Sequence, residues 1–252
     1  MSELRIGAAI LLAASAFALT AACSSGSKGP PPPVKADVTD MLLPGAQQLS
    51  EITGATMMEL KTLNGLADSP PTASDTRCQS LTQVAGKNAY ANSGSTAVRD
   101  QVFTNMLTAM SKQQGSVTIE QAVVLFPTAE QAQAFFTAAS KSWTACANKQ
   151  VTVNEPKMRE FNQPTQMSMS VGQVSESDHT LNAHVSSSTV VQGASVVQNC
   201  QHLLTVDNNV VIDVSACSGK MADNAPSAPP QAADAAVTIV REIVANVDAQ
   251  SQ

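Results

Sequence analysis

The residues best placed to do chemistry in this sequence are His202, Asp213 and Ser215, which lie within one short segment, 196–217. Polar and apolar residues alternate around the Asn-Asn pair at 208–209, which predicts a β-hairpin. Asn accepts the positive φ values that a two-residue type I′ turn requires. In the resulting register His202 faces Ser215 directly and lies diagonally from Asp213, within side-chain reach. These three side chains could hydrogen-bond a ligand or, in a hydrolase, activate a nucleophile.

The same register gives the hairpin two different faces. One is mainly apolar and is predicted to pack in the core: Leu203, Thr205, Val210, Ile212, Val214 and Ala216. The other is mixed: Cys200, His202, Leu204, Val206, Val211, Asp213, Ser215 and Cys217. The mixed face suits a solvated sheet surface, which is the commoner case, or the lining of a ligand cleft. A Ser/His/Asp hydrolase is the least favoured alternative, because no oxyanion-hole element is visible.

The two other histidines have simpler interpretations. His179 follows Asp178 and is predicted at a turn edge, and His184 is predicted on a solvated strand face. The sequence contains no nucleophile elbow, zinc-binding His-Glu-x-x-His pair, phosphate loop or dinucleotide fingerprint. We therefore expect no catalytic residue, no metal site and no cofactor, and a non-catalytic role.

The hairpin also predicts a disulfide between Cys200 and Cys217. The two residues face each other at a non-hydrogen-bonded position, where the Cα atoms are roughly 4.5 Å apart, within disulfide range. Cys78 and Cys146 then pair by elimination, since four cysteines of an exported domain form an even set. In the chain-entropy model the shorter loop contributes on the order of 3 kcal/mol and the longer loop somewhat more.

Cys23 has a separate role, because residues 1–22 are typical of a lipoprotein signal peptide. Arg5 gives a positive start, and the apolar run at 6–19 is too short for a stable membrane-spanning helix. Small residues lead directly into Cys23, which we expect to be lipidated and to anchor the protein to the membrane. The motif has Thr20 where Leu is usual, so an ordinary signal peptide is the alternative.

Residues 23–35 are predicted to form a tether. Its Ser/Gly-rich part is flexible, and the four prolines from Pro30 to Pro33 favour an extended polyproline II spacer. The domain that follows, at 36–250, has no basic cluster. The whole chain carries a formal net charge of -6, which argues against nucleic acid as a partner. Its hydrophobic content of 43% is sufficient for a core.

The spacing of apolar residues predicts the order of helices and strands along the chain. Helices are predicted at 38–52, with a break at the Pro-Gly pair, and at 98–110, where a methionine stripe is expected to fill the core. Two further helices are predicted at 128–146 and after Pro229-Pro230. The last of them has an apolar stripe of Ala233, Val237, Val240, Val244 and Val247. The helix at 128–146 begins at a Thr128 cap and places Trp143 beside Cys146 and its disulfide. Strands are predicted at 117–126, 151–153, 167–174, 179–188 and in the hairpin. This order indicates an α+β class, a single domain with a mainly antiparallel sheet.

With these landmarks, the chain resembles the PknH-like extracellular sensor domain family, found on a mycobacterial Ser/Thr kinase and in mycobacterial lipoproteins. The matching features are the strand and helix at 117–146 with Phe135-Phe136 and Trp143-Thr-Ala-Cys146, both halves of the hairpin with their cysteines, and the Ala/Val-rich last helix. The resemblance implies one domain with two disulfides and a cleft for an unidentified ligand. It implies no catalytic residue, and it extends only to the outer domain.

The combined interpretation is a membrane-anchored exported lipoprotein with a non-catalytic, ligand-binding sensor-like domain on the outer face of the cytoplasmic membrane. Its expected partners are the membrane, through Cys23, and a small-molecule or envelope ligand. His202, Asp213 and Ser215 are the candidate ligand-binding residues. An envelope hydrolase and an adhesion or antigen-like structural protein are the alternatives.

Overall fold

The computed structural model describes residues 31–67, 71–107, 109, 115–154, 166–191, 194–220 and 234–252. The predicted signal peptide, Cys23 as the predicted lipidation site and the predicted start of the last helix at 227–230 lie outside the described residues. The three candidate site residues and the four paired cysteines lie within them.

An antiparallel sheet of nine strands runs through the part of the chain that the structure describes. The strands are β1 (Met58–Leu63), β2 (Thr72–Ala73), β3 (Ala97–Thr104), β4 (Ser116–Leu125), β5 (Gln150–Asn154), β6 (Gln166–Ser177), β7 (Thr180–Val191), β8 (Ala194–Asp207) and β9 (Val210–Lys220). Their order across the sheet is β1-β3-β4-β9-β8-β7-β6-β5-β2. The strands predicted from the sequence are confirmed as β4 to β9, whereas β1, β2 and β3 were not predicted. The α+β fold class is confirmed.

The described helices are α1 (Thr39–Leu42), α2 (Ala46–Thr53), α3 (Lys87–Tyr90), α4 (Ala129–Cys146) and α5 (Ala235–Gln250), with 3₁₀ turns at Ala36–Val38 and Thr76–Leu81. The predicted break between α1 and α2 is present. α4 begins as predicted, because the Thr128 hydroxyl accepts a hydrogen bond from the Gln131 backbone N–H at 3.3 Å. α5 buries Val240 and Val247 as predicted, but Ile239 and Ile243, missing from the predicted stripe, are fully buried as well.

The helix predicted at 98–110 is wrong, because its first half is strand β3. Val98 and Val102 are four residues apart, a spacing that places two residues on one face of a helix or of a strand. Here β3 pairs with both β1 and β4, so pairing with distant parts of the chain selects the strand over the helix. Met106, predicted as core filling, is 41% exposed. Met110 lies outside the described residues.

Helices cover both faces of the sheet. On one, here called the α5 face, α5, α1 and α2 pack against strand residues that include Phe103, Ile119, Leu203, Ile212 and Val214. On the other, the α4 face, α4 and the turn at Thr76–Leu81 pack against Ala122, Val124, Leu181, Leu204 and Val211. The predicted core face of the hairpin is confirmed as part of the α5 face. The solvated surface predicted for the mixed face is wrong, because α4 buries it.

The β8–β9 hairpin has the predicted register, closed by Asp207 and Val210. Asn208 has a φ of 51°, but Asn209 does not have a positive φ, so the predicted type I′ geometry is wrong. The Asn209 side chain instead forms hydrogen bonds with distant parts of the chain. Its Oδ1 accepts from the Val34 backbone N–H at 2.7 Å, and its Nδ2 donates to the Phe126 carbonyl at 2.7 Å. The turn therefore holds the chain where it enters the domain.

Both predicted disulfides are present. Cys78 bonds Cys146 with a Cα separation of 5.1 Å, and Cys200 bonds Cys217 with a Cα separation of 4.0 Å. The first is sealed in the core, since both cysteines are 0% exposed, whereas the second is partly exposed. The first joins α4 to the turn at Thr76–Leu81, and the second joins β8 to β9. Both disulfides therefore support the α4 face of the sheet.

Candidate functional site

A cavity of about 180 Å³ lies on the α4 face, between the sheet and the loop at 82–86. It is lined by Leu81, Thr82, Gln83, Val84, Thr118, Glu120, Met167, Met169, Val185, Ser187, Gln198, Cys200, His202, Ser215 and Cys217. Its walls combine aliphatic side chains, two methionines and a disulfide with a small set of polar groups. This composition is characteristic of small-molecule sites.

His202 is the most deeply buried titratable group in the cavity lining, with 2% of its surface exposed. Its Nε2 lies 2.6 Å from Oδ1 of Asp213, which is itself 1% exposed. This hydrogen bond to a buried carboxyl occupies Nε2 and holds the imidazole ring in one orientation. His202 therefore contributes an imidazole ring of fixed orientation to the cavity wall.

Two further groups bond the other oxygen of Asp213. The Tyr90 hydroxyl donates to Oδ2 at 2.8 Å, and the Ala85 backbone N–H donates to the same atom at 3.0 Å. Burial, with the charge of Asp213, raises the pKa of Tyr90, which keeps its hydroxyl protonated as a donor. All of these groups are buried, so each hydrogen bond is made in a low-dielectric environment that strengthens it.

The loop at 82–86 places two successive backbone N–H groups over two carboxyls. The Val84 N–H bonds the carboxyl of Glu120, and the Ala85 N–H bonds Asp213. Ala85 has a φ of 45° and is fully buried. A non-glycine residue in this left-handed region costs about 1 kcal/mol, and such strain is concentrated at functional sites. No residue pattern predicted this loop, because position 85 carries neither glycine nor asparagine.

Ser215 lies beside His202, as the register predicts, and lines the cavity. Its Oγ is 3.5 Å from Sγ of Cys217. Among the described residues no hydrogen bond joins Ser215 to His202, whose Nε2 is already occupied by Asp213. The structure therefore brings the three predicted residues together without forming a nucleophile and base pair.

Sequence reasoning missed two acidic residues of this site, Glu120 on β4 and Asp100 on β3. Glu120 lines the cavity opposite Ser215, and burial together with the charges of Asp100 and Asp213 raises its pKa to about 8. Burial likewise raises the pKa of Asp100 to about 7, opposed by the charge of Lys61. At neutral pH Glu120 is therefore mainly a neutral carboxylic acid that can donate a hydrogen bond. The one signal in the sequence is that Glu120 interrupts an apolar strand.

Trp143 supports the site from α4. Its ring centroid lies 4.8 Å from that of His202, and its side chain is 1% exposed. It belongs to the same buried cluster as Cys78 and Cys146, in agreement with the predicted position beside this disulfide. Because the chain contains one tryptophan, its fluorescence reports directly on His202.

His179 and His184 lie where they were predicted, in an exposed turn and on an exposed strand position. Among the described residues, no three His, Cys, Asp or Glu side chains are grouped so as to hold a metal ion. None of the described helices is both long enough and apolar enough to cross a membrane.

A larger depression, of about 640 Å³, lies near the opposite end of the hairpin. Its lining is mostly exposed, and it includes Ala129, Glu130, Ala134, Thr137 and His179. It contains no counterpart of the buried His202 and Asp213 pair. The smaller cavity is therefore the better candidate site.

Comparison with known proteins agrees with this architecture. The family model described as the PknH-like extracellular domain matches residues 34–246. The Ser/Thr-protein kinases PknH of Mycobacterium tuberculosis and Mycobacterium bovis are each 29% identical to this chain over 199 residues, or 78% of it. The match covers 29% and 30% of the two kinases, so the chain corresponds to less than a third of their length.

A solved structure extends the comparison to the fold. The crystal structure of the extracellular domain of PknH from Mycobacterium tuberculosis superposes with a TM-score of 0.65 and 25% identity. The match covers 86% of this chain and 98% of that domain. Both matches are to extracellular domains, which indicates an extracytoplasmic location. The chain belongs to the PknH-like extracellular domain family.

Proposed function

We propose that this protein is a lipid-anchored, non-catalytic binding module of the cell envelope that holds a small ligand in the cavity on the α4 face. The observation that carries the proposal is the buried, fully hydrogen-bonded His202 and Asp213 pair directly behind a partly apolar cavity. Burying such a polar network costs stability, which a binding function accounts for.

The lining supplies both elements of small-molecule recognition. Met167, Met169 and Val185 provide apolar contact area, and methionine adapts well to the shape of a ligand. His202 and Ser215 supply polar groups whose positions are fixed by the hairpin and its disulfide. The volume is below the ~300 Å³ at which drug-sized pockets begin, so the cavity suits a compact ligand or one end of a longer ligand.

The same geometry supports a non-catalytic role. A hydrolase needs a nucleophile within hydrogen-bond reach of its base. Ser215 contacts Cys217, and His202 directs Nε2 to Asp213 rather than to a hydroxyl. We therefore assign His202, Asp213 and Ser215 to ligand binding.

We propose that lipidation of Cys23 anchors the protein to the membrane through the tether at 23–35. The tether joins the domain where Val34 bonds Asn209, at the turn end of the hairpin. Cys217, in the cavity wall, lies seven residues beyond Val210, a distance of about 20 Å along a strand. A palmitate analogue should label the wild type and not Cys23→Ala. Labelling of that variant would contradict anchorage through Cys23.

Native mass spectrometry of the full protein, released gently from its own envelope, tests ligand binding. We expect an additional mass on the wild type and its loss in Ser187→Leu, which fills the cavity. Ser188→Leu is the matched control, because Ser188 is the next residue along β7 and faces solvent. An empty wild-type protein, or equal ligand retention by Ser187→Leu, would contradict the proposal.

A further inference from the structure

We propose that the cavity selects a small organic cation, such as an ammonium group carried on a compact apolar body. This inference rests on the ligand-binding function proposed above and specifies the chemical class of the ligand. The basis for a cationic ligand is the set of charged residues that line and surround the cavity.

The charged groups at the cavity are predominantly acidic. Glu120 and His202 are the titratable residues of the lining, and none of the described lining residues is a lysine or arginine. Asp213 bonds His202, and Asp100 lies on the neighbouring strand β3, two residues from Val102, which pairs with Glu120. Three carboxyls thus occupy adjacent strands β3, β4 and β9 on one face of the sheet.

Asp100 is the least satisfied of these carboxyls. It is 1% exposed, and neither of its carboxylate oxygens has a hydrogen-bond partner among the described residues. An uncompensated buried carboxylate is strongly unfavourable, so it is neutralised or accompanied by a positive charge. A cation next to Glu120 would supply that charge to the whole cluster.

The protein itself supplies little positive charge here. On β1, Lys61 is exposed and its charge acts on Asp100 and Glu120 from the edge of the sheet. From α3, the neutral Tyr90 hydroxyl faces Asp213. The loop contributes the Val84 N–H to Glu120, and β8 contributes His202. An anionic ligand would lie against Glu120, with Asp100 and Asp213 on the neighbouring strands, and no cation of the described lining residues would oppose these carboxyls.

The remainder of the lining specifies a compact apolar body. A cavity of about 180 Å³ corresponds to about six water molecules in liquid volume. Leu81, Val84, Met167, Met169 and Val185 surround this space. Sulfur atoms of the methionines make favourable contacts with aromatic rings. A single ring or short alkyl chain with one cationic group matches the cavity.

Three probes of similar size test the inference: benzylamine, which is cationic at neutral pH, benzyl alcohol, which is neutral, and benzoate, which is anionic. Binding is followed at the ¹³C-methyl resonances of Met167 and Met169 in the full protein. We expect benzylamine to bind about tenfold more tightly than benzyl alcohol, and benzoate most weakly. Equal or tighter binding of benzyl alcohol or benzoate would overturn the cation preference while leaving ligand binding intact.

Glu120→Gln separates charge selection from a purely structural role. It retains the shape of the neutral acid but cannot ionise, so we expect it to abolish the tenfold preference for benzylamine over benzyl alcohol. Glu176→Gln, at an exposed strand position, is the matched control. If Glu120→Gln keeps the preference, or if none of the probes shifts the methionine resonances, the inference is wrong. The ligand-binding function is decided separately by native mass spectrometry.

Proton release gives a second readout. Because the pKa of Glu120 is raised to about 8, a bound cation should ionise this residue at neutral pH and release its proton. Calorimetry of benzylamine binding in two buffers of different ionisation enthalpy measures that release. We expect it in the wild type and in Glu176→Gln, and not in Glu120→Gln. Binding of benzylamine without proton release would contradict the assigned role of Glu120.

Discussion

The two faces of the same sheet are built differently. The α5 face is an almost entirely apolar interface, in which Ile212 and Val214 pack against Ile239 and Ile243 of α5. The α4 face is just as thoroughly covered, yet between those two residues β9 directs Asp213 into it. Successive residues of one strand therefore serve different purposes. The α5 face stabilises the fold, and the α4 face carries groups whose burial is unfavourable without partners.

This difference explains why several structural constraints are concentrated on the α4 face. Both disulfides, the buried tryptophan and the strained loop at 82–86 are found there. A polar network holds one geometry only when the surrounding structure fixes every member. We infer that the disulfides offset the cost of the buried acids and keep the cavity open.

The largest effect should come from Asp213→Ala, which removes the acceptor of three buried hydrogen bonds. We expect a loss of about 3–5 kcal/mol in the free energy of unfolding, measured by chemical denaturation. Asp213→Asn should cost less, because its amide can still bond His202 and accept from Tyr90 or Ala85. A loss below about 1 kcal/mol for Asp213→Ala would show that the network is not a structural unit.

The next effect concerns the sealed disulfide. Cys78→Ala with Cys146→Ala opens a loop with a sequence separation of 68 residues, which should cost about 4 kcal/mol. Loss of the Cys200 and Cys217 bridge, with a separation of 17, should cost about 3 kcal/mol. Thermal and chemical denaturation of the two double variants measure both. A larger cost for the shorter loop would mean that strain or packing outweighs chain entropy.

A conservative change on the α5 face should cost least among the substitutions. Ile212→Val removes one methylene from a fully buried site and should destabilise the protein by about 1 kcal/mol. It should leave probe binding at Met167 and Met169 unchanged, since it acts through the other face. Altered probe binding in this variant would mean that the two faces are energetically coupled.

Stability should also depend on pH, and the groups responsible lie on the α4 face. Burial raises the pKa values of Glu120 and Asp100 to about 8 and about 7, from 4.5 and 3.8. The folded protein therefore binds more protons than the unfolded chain between these limits, and its stability falls as pH rises from about 5 to about 8. Asp75 does not contribute to the pH dependence of stability in this range. Hydrogen bonds from Arg77 and Lys149 lower its pKa, so it is ionised in both the folded and the unfolded state.

Differential scanning calorimetry across this pH range provides the measurement. We expect the Tm to be higher at pH ~5 than at pH ~8, with a smaller difference in Glu120→Gln and in Asp100→Asn. Ile212→Val should keep the full wild-type difference. A Tm that rises with pH over this range would contradict the protonated state of the two acids.

The hairpin was predictable because its determinants are local. The Asn pair and the alternation set the turn, and a fixed turn sets the register, which brought His202, Asp213 and both cysteines into place. The prediction that the mixed face is solvated failed, because alternation cannot show that a second helix covers a half-polar face.

The rest of the site depends on non-local pairing. Asp100 and Glu120 reach the site through β3 and β4, and the spacing of Val98 and Val102 fits a helix equally well. Ala85 adopts a conformation for which its residue type has no preference, so only the tertiary contacts of its loop select it. Pairing and loop closure of this kind leave no periodic trace in a single sequence.

A crystal structure of the full protein, isolated without denaturation from its own envelope, would show whether the cavity holds a ligand. We expect electron density for a small molecule in the cavity, in contact with His202, Glu120 and Met169, with the Cys200 and Cys217 bridge in its wall. A cavity filled with water alone, or a ligand seated elsewhere on the domain, would contradict it.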